Sequence, residues 1–196
     1  MLPTKSLTAE QKQLLLEDRI PIRMEEVAVG AFFARLVTQH PKQDRPLTLT
    51  LHLSQSFSLP AITTLAYPTI DAGLLMCRVL MEFLGVRYMP RDRRLGPVQD
   101  RRSDDVSIVS FDLPLLTESD ACKDHATVNP ARAEEILCRT LEAANKGIGH
   151  LTTNPARTLD FPTAASGCDL VLNLVNRHLY EALRRKPIDF PWLPVL

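Results

Sequence analysis

The stretch TIDAGLLMCRVLMEFLGVR, Thr69–Arg87, decides the fold. Its apolar side chains point almost all the way around a helical wheel, which suits a helix buried on most sides rather than a surface helix with a single apolar stripe. Thr69 or Asp71 stands near its start as a cap. At about 100° per residue, Asp71, Arg78 and Glu82 fall on one narrow stripe, and the i,i+4 spacing of Arg78 and Glu82 lets them meet as an ion pair. On so apolar a helix that stripe either faces water or lines a site.

A helix of this kind needs other helices around it, and three further periodic segments supply them. From Ile22 to about Gln39, Met24, Val27, Ala31, Phe32 and Leu36 recur at helical spacing until Pro41 ends the run. Asn129-Pro130 offers an N-cap followed by proline at the first helical position. Behind it Ala133, Ile136, Leu137, Thr140, Leu141 and Ala144 form a buried face, and Gly147 stops the helix. A last helix spans about Thr163 to Lys186, with Cys168, Val171, Leu172, Val175, Leu179 and Ala182 inward and His178 at the core edge, before Pro187. Upstream, Thr8 caps a short segment carrying Leu14, Leu15 and Leu16 that Pro21 is expected to interrupt.

The predicted fold is therefore mainly α, a bundle of four to five helices. Residues 1–21 are an N-terminal appendage, 22–186 the bundle domain, and 187–196 a tail too apolar to stay in water, which packs on the bundle or on a partner subunit. Two stretches break the helical pattern. Leu47 to Ser54 alternates leucines with polar residues, the period of a half-buried strand, and Asp105 to Phe111 is the other strand-like run, so a short β arm is expected. Residues 88–105, rich in arginine with Pro90, Gly96 and Pro97, read as an irregular, exposed and mobile connection whose guanidiniums suit phosphates as well as water.

Lys+Arg and Asp+Glu balance at 23 each in 196 residues, so no global field calls for nucleic acid or membrane, and any anion site must be built locally. No run reaches the roughly 18 apolar residues that span a bilayer, and the first residues lack the pattern of an export signal. Cys77, Cys122, Cys138 and Cys168 show no CxxC spacing and read as reduced thiols. These features together predict a cytoplasmic protein. There is no Gly-rich phosphate loop, HExxH, Cys/His zinc spacing or GxSxG elbow, so neither metal nor cofactor is expected.

The polar residues concentrate in Asn145-Lys146-Gly147-Ile148-Gly149-His150-Leu151-Thr152, an amide, a cation and an imidazole at a helix end. Taken alone, Asn145 can cap that end and His150 can bond a free backbone carbonyl. Taken with Arg78, Leu80, Phe83 and Leu84 on the central helix and Asp104-Asp105 in the charged connection, the segment resembles the HEPN superfamily over roughly residues 70–155.

The resemblance implies a four- or five-helix bundle that pairs as a homodimer and acts on RNA without metal, in a defence or toxin–antitoxin setting with a cognate antitoxin or regulatory protein. It gives His150 the acid/base role, Asn145 the orienting role, and Lys146 or Arg78 the phosphate contact. An imidazole moves the proton of an attacking 2′-hydroxyl, and a cation holds the charge that develops on phosphate. The chain departs from the pattern at one position: the arginine expected before the asparagine is Ala144. The rival reading is a non-catalytic helical interaction or dimerisation protein. The bare Arg-to-His spacings at Arg35–His40 and Arg45–His52 occur at chance frequency and lie outside the segment.

Overall fold

In the computed structural model, which describes residues 7–40, 47–50, 56–59, 61–99, 105–123, 125, 128–145 and 159–191, the chain is mainly α-helical. Helix α1 (Ala9–Leu14) opens on a reciprocal cap: the Thr8 hydroxyl accepts from the Gln11 N–H at 3.2 Å and the Gln11 side chain accepts from the Thr8 N–H at 3.0 Å. The break expected at Pro21 does not occur. Proline has no N–H to donate, and its ring collides with the carbonyl four residues back in a regular α-turn. A wide π-turn over Leu15–Arg19 absorbs the misfit, with the Ile20 N–H reaching back to Leu15 O, and helix α2 (Ile20–Gln39) continues the rod. Pro21 leaves the Leu16 carbonyl without a helical donor, and the buried Tyr180 phenol donates to it at 2.9 Å.

Helix α3 (Thr63–Leu84) begins upstream of the expected start, so Thr69 lies inside it, as does Pro68. It packs along α2, and the crossing is set by Gly30 and Gly73: a Cβ on either would lie 2.9 Å from the other's Cα. No side chain fits between these two backbones. The helix ends at Gly85, whose φ of 117° gives the left-handed turn that releases the chain into a strand. That is why the helix stops before the expected Arg87.

Asn129 caps helix α5 as its sequence predicts, accepting from the Arg132 N–H at 2.9 Å, and the six residues of the expected inner face of α5 (Pro130–Ala143) and the turn after it are all buried. Helix α4 (Glu118–Lys123) is a short segment before it. Helix α6 (Phe161–Val175) is capped by Asp160 and widens into a second π-turn, Asn176–Glu181, the turn that carries Tyr180. Within the predicted inner face Ala182 is exposed, and Leu170 and Leu174 are buried instead, while His178 is half-buried. Helices α2, α3, α5 and α6 form the bundle, with Met24, Val27, Cys77, Leu137, Val171 and Leu174 in its core. The Asn176 side chain exchanges two hydrogen bonds with the Ile188 backbone, at 2.8 and 2.9 Å, and Ile188 and Phe190 pack on the core.

Two antiparallel hairpins flank the helices. Strand β1 (Leu47–Thr50) pairs with β2 (Ser56–Leu59), in register Leu47 with Leu59. Leu47 and Leu49 thus lie opposite Leu59 and Phe57, and not Asp105–Phe111, where Ile108–Phe111 is a 3₁₀ turn capped by Ser107; residues 51–54 of the expected strand lie outside the described residues. Where an irregular connection is expected, β3 (Val86–Met89) pairs with β4 (Arg94–Pro97). Among the described residues no helix is long and apolar enough to cross a membrane.

Candidate functional site

The C-terminal half of α3, the β3–β4 hairpin and the end of α5 enclose a cleft of about 880 Å³. Arg78 and Glu82 line it from α3, Arg87, Tyr88, Arg91 and Asp92 from the hairpin, and Leu141 and Asn145 from α5. The charged stripe on α3 thus lines a site over Arg78 and Glu82, whereas Asp71, nearer the start of the helix, is not part of it.

Local structure places each group. The left-handed turn at Gly85 sends β3 back beside its own helix. Along β3 burial alternates, with Val86 and Tyr88 in the core and Arg87 and Met89 half-buried on the other face. Arg93, at φ 52°, closes the connecting turn, and its N–H donates to Met89 O at 2.9 Å. Asn145 is half-buried in a widened turn that continues α5 past Ala143.

The cations differ in how they are held. Arg78 Nε donates to Glu82 Oε1 at 2.8 Å, the predicted i,i+4 pair. Arg87 Nε is cut off from solvent and has no hydrogen-bond partner among the described residues. Arg91 is exposed at the turn. Among the described lining residues three guanidiniums stand against two carboxylates, a composition that favours anions. Burial, reinforced by the neighbouring Glu142 carboxylate, pushes the Tyr88 phenol above its ordinary range, so it stays a neutral hydroxyl.

Of the residues singled out from sequence, Arg78 and Asn145 meet in this cleft. Lys146 and His150 lie outside the described residues, as do Asp104, Ile148, Leu151 and Thr152. Ala144, where the resemblance calls for arginine, is fully buried at 0% exposure. Sequence reasoning missed Arg87 as a site residue, placing it at the end of the expected helix beside the arginine-rich connection. The signal was present in Gly85-Val86-Arg87-Tyr88-Met89, a left-handed helix stop followed by a period-two run.

Other chemistry finds less support. Among the described residues no three His, Cys, Asp or Glu side chains converge as a metal site requires. All four cysteines are free thiols, and burial pushes Cys122 up to about 11 and Cys138 up to about 12, which keeps both protonated and poor nucleophiles at neutral pH. A second depression of about 320 Å³, between the N-terminal rod and α3, carries Arg19 and Arg23 over Val79 and Phe83. Arg23 is held by Glu26 at 2.9 Å and Arg19 lies 3.6 Å from Asp18, so its cations already have carboxylates. No family model, curated protein or solved structure matches the chain.

Proposed function

We propose that this chain is a HEPN-like helical-bundle protein that binds RNA, or cleaves it without metal, at the arginine-lined cleft. In this reading His150 is the acid/base group, Asn145 orients it, and Arg78 and Lys146 contact phosphate. The observation that supports it is the convergence of Arg78 and Asn145, far apart in sequence, on one cleft whose guanidiniums outnumber its carboxylates. A polyanionic strand draws its affinity from such groups with little regard for sequence. Homodimer formation and control by a cognate antitoxin or regulatory protein belong to the same reading, through the resemblance.

The test is cleavage of a mixed cellular RNA pool, with metal chelated, by the wild-type protein and by His150→Ala purified in parallel. Cleavage by the wild type alone supports the reading, provided both proteins give the same folded circular-dichroism spectrum. RNA binding without cleavage by either keeps the cleft and removes the catalytic role. Absence of both binding and cleavage overturns it.

One observation favours a second reading, a non-catalytic interaction module. Ala144 faces the core, so a guanidinium at that helix position would have to be desolvated without a partner. The helix therefore presents Asn145, and not the residue before it, to the cleft. This reading expects self-association by sedimentation together with no RNA binding.

A further inference from the structure

The cleft holds a guanidinium whose Nε has no partner among the described residues. Arg87 lines the cleft from β3, half-buried between Val86 and Tyr88, whose buried side chains also border it. Pairing of Arg87 with Gly96 across the hairpin fixes its backbone position. Its Nε is sealed from water and lacks an acceptor among the described residues. A buried donor without a partner weakens a fold, and in a cleft wall it marks the place of an acceptor that arrives from outside.

The carboxylates of the cleft do not fill that place. Glu82 takes Arg78 at 2.8 Å, and Asp92 has its ion pair with Arg94 at 3.7 Å. Asn145, on the far wall, is a neutral amide whose N–H groups also suit an anion. A guanidinium approached side-on offers Nε and a terminal nitrogen in a fixed fork, which suits an anion with two or more oxygens.

We infer that Arg87 is the oxyanion-gripping residue of the cleft, its side chain turning out from the hairpin to take a phosphate group of the bound strand through Nε and one terminal nitrogen. The assignment of that phosphate to RNA rests on the function proposed above; the grip itself does not. Arg87 thereby supplies a guanidinium from the hairpin at a site where the α5 helix, with Ala144 in the core, cannot.

The experiment compares wild type, Arg87→Met and Arg87→Lys as full chains. Binding of a labelled single-stranded RNA is followed by fluorescence anisotropy across a salt series, and melting temperature is followed with and without inorganic phosphate. Arg87→Met is expected to bind RNA roughly ten- to a hundredfold more weakly, as for loss of one charge-assisted contact. The slope of log affinity against log salt should fall by about one, a change that a merely structural role would not produce. Arg87→Lys, which keeps the charge and loses the fork, should fall between.

Phosphate should raise the melting temperature of the wild type and not of Arg87→Met. If RNA binds Arg87→Met with unchanged affinity and slope, the inference fails and the RNA reading survives. If the wild type ignores RNA while phosphate stabilises it through Arg87, the grip stands and the RNA reading fails. Wild-type affinity in Arg87→Lys removes the side-on fork, and a wild type indifferent to both probes overturns inference and reading together.

Discussion

The two halves of helix α3 face opposite tasks. Its N-terminal half enters a sealed seam, where Gly73 meets Gly30 backbone to backbone, and the seam runs on to Cys77, whose Sγ lies 3.7 Å from Cys168 Sγ, both thiols buried. Nearby Arg35 of α2 is paired with Asp169 of α6. The C-terminal half borders an open cleft in which, among the described residues, guanidiniums outnumber carboxylates and one buried Nε has no acceptor. Along the seam polar groups and close contacts are matched within the chain; in the cleft they are matched only in part. The contrast separates residues that hold the bundle from residues available to a ligand, and substitutions should divide the same way.

The largest effect is expected at the seam. Gly73→Val forces a branched side chain against the Gly30 backbone and should destabilise the protein by about 3 kcal/mol or more, read as a lower denaturant midpoint. An unchanged midpoint would mean that the two helices can separate freely, and the contrast between seam and cleft would lose its basis.

Tyr180→Phe comes next. It leaves the Leu16 carbonyl buried beside Pro21 without its donor and should cost about 1–3 kcal/mol. The companion variant Pro21→Ala restores a helical N–H, so the cost of Tyr180→Phe measured in that background should shrink, a coupling that a double-mutant cycle detects.

Asp160 tests the electrostatics where α5 meets α6. The Thr163 hydroxyl, with the Thr163 N–H and Arg139 at 2.8 Å, lowers its carboxyl to about 2 despite opposing desolvation. Because the folded value lies below the ordinary 3.8, the stabilisation is fully present above about pH 4 and is lost as pH falls toward 2. Half of the side chain is exposed, so water screens the contribution to below about 1 kcal/mol. Asp160→Asn, which can still cap α6, should flatten the acid limb of a stability-versus-pH curve without moving the neutral plateau by more.

The smallest effect belongs to the cleft. Glu82→Gln breaks the Arg78 pair, and at this exposure it should change stability by only about 0.3–0.5 kcal/mol. The same change frees the Arg78 guanidinium and removes a negative charge from the lining, so RNA affinity should rise. A large loss of stability with no gain in affinity would place the pair on the structural side of the comparison.

Much of the bundle was legible because its cues are local. The inner face of α5 could be named residue by residue, since a capped, amphipathic helix has one face to bury. Helix α3 was legible in its existence and in the Arg78–Glu82 pair, both consequences of helical spacing. Its ends were not, because Pro68 was accommodated within the helix and Gly85 stopped it in a left-handed conformation. Pro21 misled for a different reason. The π-turn that carries the helix through it depends on a phenol supplied from Tyr180, far along the chain, which no local window contains.

The candidate site divides in the same manner. Arg78 and Asn145 stood out by residue type and position, and Arg87 stood in an arginine-rich run without distinction. Hairpin pairing decided its role: it fixed the strand register and set Arg87 in the cleft wall between the buried Val86 and Tyr88. A strand partner and a buried donor without an acceptor are properties of assembled chain.

By itself the sequence determined the helical class, the caps at Thr8 and Asn129, the buried face of α5 and the ion pair on α3, because period and capping act over a few residues. Only the tertiary structure decided that Gly30 meets Gly73, that Tyr180 sustains the helix through Pro21, that Ala144 is core, and that Arg78, Arg87 and Asn145 share one cleft. Those facts depend on which surfaces pack together, a choice made by the whole core at once and written in no single segment of the chain.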